Sequence, residues 1–189
     1  SKCGRYLITF NGEIYNHQEI RDDLSKSFKL RRDHWVGSSD TETLLSSISL
    51  LGLESTMKIV RGMFAFGLWD KFERSISLVR DPIGEKPLYY NIQDGSLIFS
   101  SELKPIKKIL GSSLNISKDV LTLYFKYNYI PTPYSIYENT FKLNPGSILR
   151  ISLDALNDSK RMNMNFEYVN KNFELCEYWS LEKCANDAN

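Results

Sequence analysis

The chain has 189 residues, 42% hydrophobic and 25% charged, with 24 basic against 23 acidic residues and a net charge of +1. That length builds one ordinary domain with a sizeable core, and the composition is globular rather than disordered. The balanced charge leaves no electrostatic footprint for nucleic acid or an anionic membrane, and no apolar run approaches the ~20 residues that span a bilayer.

Three cysteines, Cys3, Cys176 and Cys184, form an odd and scattered set. They do not read as a disulfide framework and point to a reducing compartment. Ser1-Lys2-Cys3-Gly4 contains no initiator Met and no basic-then-apolar leader. The sequence is therefore expected to start after processing or within a longer reading frame.

In chain order, Arg5 to Phe10 predicts a strand that breaks at Asn11-Gly12. His17 to Ser27 predicts a short amphipathic helix with Ile20 and Leu24 on one face. Ser38-Ser39-Asp40 caps a second helix carrying Leu44, Leu45, Ile48 and Leu51 and stopping at Gly52. The period then changes: Met63 to Trp69 and Ile76 to Val79 are strands around a polar turn, Asp70 to Arg74. Leu88 to Ile92 and Leu97 to Phe99 flank Asp94-Gly95, a strong hairpin signal because that turn needs positive φ. Helices are predicted over Glu102 to Leu110 and from Ser117 to about Tyr127, and Ser147 to Ser152 reads as a last short strand. Asp154 to Asn172 is polar and poorly periodic and reads as an exposed loop or the start of a linker. Clustered strand meanders with singly interleaved helices predict an α+β fold with antiparallel sheet.

Several chemistries drop out. His17 and His34 are the only histidines, and neither lies near a G-x-S-x-G nucleophile elbow. Cys176 and Cys184 are too far apart for a zinc knuckle, and no Gly-rich phosphate loop occurs, so neither metal nor nucleotide is expected on this chain. Both histidines read as polar surface or turn residues.

Asn11-Gly12-Glu13 stands apart. A Gly after a strand presents an unobstructed N–H and an Asn beside it supplies an amide donor, the two neutral donors that an oxyanion hole requires. The plain alternative is an Asn-Gly turn. Asp40 reads either as a helix N-cap or as a carboxylate that pairs with a substrate ammonium group. Arg80-Asp81, with Gly84 and Lys86-Pro87, reads as a tight connection between strands that fixes buried charges.

Taken in order, Gly4 to Leu24 (GRYLITFNGEIYNHQEIRDDL), Ser38 to Leu45, Arg61 to Asp70, Val79 to Tyr90, Phe99 to Ile106, Tyr129 to Ile151 and Tyr178-Trp179 resemble the class II glutamine amidotransferase domain of the asparagine synthetase family. The resemblance implies a four-layer αββα sandwich of the N-terminal-nucleophile hydrolase type, incomplete at the N-terminus. Residues 1–153 would form most of that domain, and 154–189 a polar loop and linker toward an ATP-dependent synthetase domain outside the chain.

By the same resemblance, Asn11 and Gly12 match the oxyanion-hole pair, while Asn11, Gly12, Glu13 and Asp40 match the residues that hold glutamine. Ser101, Glu102 and Lys104 lie near the contact with the second domain. The implied chemistry is thiolate attack on the glutamine amide, loss of ammonia and hydrolysis of the thioester. The nucleophile's own α-amine, with an unperturbed pKa of ~7.7–8.0, acts as base.

In the family an N-terminal Cys and an arginine-bearing segment precede the strand that ends in Asn-Gly-Glu. Both are expected to lie outside these residues, leaving residues 1–189 alone inactive. Cys3-Gly4 imitates such a terminus but is assigned no catalytic role. No Ser-Gly-Gly-x-Asp-Ser loop occurs, so ATP and Mg are expected in the synthetase domain, the partner that would amidate aspartate. The alternatives are an amidotransferase serving another acceptor, such as a sugar or secondary metabolite, and a non-catalytic scaffold. Homodimerisation is left open, and a cytoplasmic setting is expected.

Overall fold

The computed structural model describes residues 1–159 and 166–187. The first strand, β1 (Tyr6–Ile14), is followed by α1 (His17–Ser27), α2 (Asp40–Leu51) and α3 (Leu53–Ile59). The hairpin of β2 (Gly62–Asp70) and β3 (Ser75–Arg80) leads to a second hairpin, β4 (Tyr89–Gln93) and β5 (Ser96–Ser100). After α4 (Leu103–Leu110) and α5 (Lys118–Tyr127) come β6 (Thr140–Lys142), β7 (Ser147–Ser152), α6 (Leu153–Asp158), α7 (Phe166–Asn172), β8 (Glu174–Glu177) and α8 (Leu181–Asp187).

Two antiparallel sheets form, one in the order β1-β2-β3-β7-β8 and one in the order β5-β4-β6. Side chains alternate across the first sheet, as a pleated strand requires. Phe64, Phe66, Leu68, Val79 and Ile148 meet Ile20, Leu24, Leu44, Ile48 and Met57 of α1–α3. Ala65, Leu78, Leu149 and Ile151 point the other way, onto Tyr90, Ile92 and Phe141 of the second sheet. Helix α4 packs on β4 and β5 and buries Ile106. The layers are thus helix, sheet, sheet, helix, the αββα sandwich expected.

Most predicted elements appear close to their expected limits. The Asp94-Gly95 turn has both residues at positive φ, 52° and 72°. Three expectations change. Strand β1 does not break at Asn11-Gly12: it runs on to Ile14, with Asn11 opposite Ala65 and Gly12 opposite Phe64. Helix α3 and strand β6 carry no strong periodic signal and were not foreseen. The described part of the stretch expected as an exposed loop is structured: α6 leaves β7, Val169 of α7 is fully buried, and β8 pairs with β7 from Ser147↔Glu177 to Arg150↔Glu174. Its surface is polar, but Val169 and Phe173 plug the space between the sheets, and two buried residues are too few to set a visible period.

Candidate active site

Strand β1 is an edge strand, paired on one side only. In an antiparallel ladder the N–H groups of alternate residues point to the same side. Tyr15 N–H donates across to Arg61 O at 2.7 Å, whereas Ile14 N–H turns outward and donates to Asp40 Oδ2 at 2.9 Å. By that alternation the Gly12 N–H also faces the free edge. Gly12 has φ +152°, and a Cβ there would lie 2.1 Å from Met63 O and 2.6 Å from Phe64 Cα. Only glycine fits between the strands at this point.

The Asn11 side chain is exposed and leaves β1 on the face that looks toward the second sheet. Its Nδ2 donates to Ser101 Oγ at 3.0 Å, just beyond the end of β5. A cavity of about 300 Å³ opens here, lined by Thr9, Asn11, Phe66, Leu88, Phe99 and Ser101. A larger cavity, about 710 Å³, lies at the opposite end of the first sheet, around Arg5, Asp70, Ser77 and Arg150. Both of its guanidinium groups are already paired with carboxylates. Size alone therefore does not select the site.

Asp40 is not the cap of α2. Ser39 takes that role, accepting from Glu42 N–H at 3.2 Å. Asp40 is the first helical residue and bridges to β1: Oδ2 accepts from Ile14 N–H, and Oδ1 accepts from Thr41 N–H at 2.7 Å. Among the described residues it has no cationic partner, and neither has the exposed Glu13 beside it on the strand. The end of β1 thus carries two carboxylates without an ion-pair partner among the described residues.

The Tyr15 phenol is raised above its usual range, first by desolvation and then by Glu85, Glu13 and Asp81. Asp81 is itself buried, and its carboxylate accepts from the N–H groups of Ile83, Gly84, Glu85 and Lys86. Arg80 donates to the carbonyls of Gly84, Lys86 and Leu143. This is the expected charge-fixing connection, achieved through backbone rather than by mutual pairing. It stands against the site, since Asp81 N–H donates to the carbonyl of Phe64, opposite Gly12.

The sequence did not point to Arg21. It is buried, donates to Gly37 O at 2.6 Å, Ser39 O at 3.1 Å and Thr43 Oγ1, and lies over the Trp35 ring at 4.3 Å. It thereby fixes the carbonyls of Gly37 and Ser39, three residues and one residue ahead of Asp40. One residue from the apolar stripe of α1, it carries no local signal of burial. The histidines are half-buried, His17 at the start of α1 and His34 in a short 3₁₀ turn. Glu102 and Lys104 are exposed and Ser101 is half-buried, with the distinct role of meeting Asn11.

The cysteines are all exposed and lie elsewhere. Cys3 precedes the far end of β1, and the five residue steps from Tyr6 to Asn11 span about 17 Å. The Ser1 hydroxyl, then the Arg5 backbone, hold its thiol down at about 7. Cys176 is on β8, four strands and about 19 Å from β1. Cys184 is on α8, whose Lys183 pairs with Glu177 of β8 at 3.0 Å.

Residues 1–162 match the model of a family described as the glutamine amidotransferase domain. The chain is 41% identical over 150 residues to putative glutamine-hydrolyzing asparagine synthetase 2 of Methanocaldococcus jannaschii, covering 78% of this chain and 28% of that protein. It is 37% identical over 151 residues to glutamine-hydrolyzing asparagine synthetase 1 of Bacillus subtilis, covering 79% and 23%. The chain thus spans about a quarter of the length of these relatives. Among solved structures, the glutamine phosphoribosylpyrophosphate amidotransferase of B. subtilis, complexed with ADP and GMP, matches with a TM-score of 0.59. That match covers 95% of this chain and 30% of the other at 16% identity, which is a likeness of fold. A two-sheet sandwich with its ordered motifs intact and a family match over most of its length place this chain in the glutamine amidotransferase family.

Proposed function

We propose that this domain hydrolyses glutamine and releases ammonia for the ATP-dependent amidation of aspartate, as part of a glutamine-hydrolysing asparagine synthetase working in the cytoplasm. The observation that carries the reading is the joint placement of an outward Gly12 N–H, the Asn11 amide and the Asp40 carboxylate at one end of β1. The glutamine α-ammonium sits against Asp40 and Glu13. Attack on the side-chain carbonyl turns its oxygen into an alkoxide, which the N–H groups of Gly12 and Asn11 receive. Collapse expels ammonia and leaves a thioester, which water cleaves to glutamate.

None of the three cysteines lies near the oxyanion donors, so none of them is assigned as the nucleophile. ATP and Mg belong to a synthetase domain of the same protein, reached across the surface around Glu102 and Lys104 at the start of α4.

The test is Asn11→Ala in the full-length enzyme. An oxyanion donor acts mainly in the transition state, so kcat for glutamine hydrolysis falls by roughly 10²–10³ with a smaller change in KM. Cys3→Ser, made beside it, leaves the rate unchanged. A near-normal kcat in Asn11→Ala removes the oxyanion role, and loss of activity in Cys3→Ser places the nucleophile within this chain.

A further inference from the structure

Asn11 stands on an edge strand with its amide exposed, where a free side chain samples several rotamers. Among the described residues one hydrogen bond restricts it, to Ser101 Oγ at 3.0 Å across 90 residues of sequence. A primary amide carries two N–H donors. Ser101 takes one, and the other has no acceptor among the described residues. With one N–H pinned, the planar amide fixes the direction of the second.

Ser101 is itself well placed to be a fixed reference. It follows β5 directly, and the β5 residue Phe99 seats its ring on Gly67 of β2, where an added Cβ would lie 2.5 Å from the ring. Thr9, two residues before Asn11 on the same face of β1, closes the other side of that seat. The end of β5 is thereby locked to the first sheet beside Asn11. Ser100 Oγ accepts from Glu102 N–H at 3.3 Å and turns the chain toward α4.

We propose that Ser101 is a positioning residue for the oxyanion hole: it orients the Asn11 amide so that its free N–H meets the developing alkoxide, and so makes the oxyanion donor depend on the segment that leads into α4. This rests on the glutaminase reading above. It also changes the role of Ser101 from a residue of a domain contact to a support of the catalytic machinery.

The experiment is a double-mutant cycle in the full-length enzyme, measuring glutaminase kcat and KM together with ammonia-dependent synthesis. Ser101→Ala lowers kcat about tenfold, the loss expected for one orienting hydrogen bond, and leaves KM within about twofold. Ser101→Thr, which keeps the hydroxyl, restores most of the rate. In an Asn11→Ala background Ser101→Ala has no further effect, since its only route to the reaction has gone. Ammonia-dependent synthesis is unchanged throughout.

Additive losses in the double variant, or a parallel fall in the ammonia-dependent rate, would overturn the proposal in favour of a general structural role. So would a normal kcat in Ser101→Ala while Asn11→Ala is impaired, an outcome that leaves the glutaminase reading standing. If Asn11→Ala itself is unimpaired, the oxyanion reading fails and this inference with it.

Discussion

Gly12 meets two demands at once. Its N–H must stay open at the edge of β1, and its Cα must pass close to the backbone of Met63 and Phe64. Gly12→Ala places a methyl carbon against backbone atoms, which cannot rotate away, at a φ that L-residues rarely adopt. We expect a loss of stability toward the upper end of the ~0.5–3 kcal/mol typical of point changes, read by urea denaturation, along with loss of glutaminase activity. A variant of unchanged stability would show that the strands part readily there. Asn-Gly was legible in the sequence as chemistry, yet misleading as structure. The pair usually marks a turn, and nothing local reveals that the partner strand also leaves room for a continuous ladder.

Among the elements, α2 is where structure and function are hardest to separate. Asp40 was legible as a candidate from Ser39-Asp40-Thr41-Glu42, but both proposed readings missed the bond it makes to Ile14 N–H. That bond joins a helix start to a strand end 26 residues away, a distance over which local pattern carries no information. It also means that Asp40→Ala mixes two effects, because removing the acceptor orphans a backbone donor at a cost of about 1–3 kcal/mol. Asp40→Asn separates them. The amide oxygen can still accept from Ile14, giving up the local bond from Thr41 N–H, while the negative charge is gone. Asp40→Asn should therefore lose less stability than Asp40→Ala but raise the KM for glutamine, with synthesis from free ammonia intact. Should KM stay normal in Asp40→Asn while Asp40→Ala is clearly the less stable of the two, Asp40 is a structural bridge, and the ammonium seat falls to Glu13 alone. Arg21 stands behind the same geometry, since it grips the carbonyls of Gly37 and Ser39 just before Asp40.

At the scale of the whole molecule, the sandwich has two separate cores, one under α1–α3 and one between the sheets. Near-continuous apolar runs made most of both legible, because β2, β3 and β7 are buried on both faces, one against the helices and one against the second sheet. The closure of the second core was not legible. Val169 and Phe173 come from a polar stretch, and Tyr178 donates through its hydroxyl to Arg80 O at 2.7 Å, reaching back 98 residues to the connection behind the site. The family match ends at residue 162, yet the fold gains a fifth strand and its inter-sheet plug after that point. Phe173→Ala should accordingly cost about 3–5 kcal/mol, the usual penalty for emptying a buried aromatic site. Shortening the chain to residues 1–162 should cost more and expose the apolar faces of Leu149 and Ile151 to a hydrophobic dye. Thermal melts of residues 1–189, of Phe173→Ala and of residues 1–162 decide the matter. If the three unfold at one temperature, α7 and β8 rest on the domain without holding it together, and the second core is complete without them.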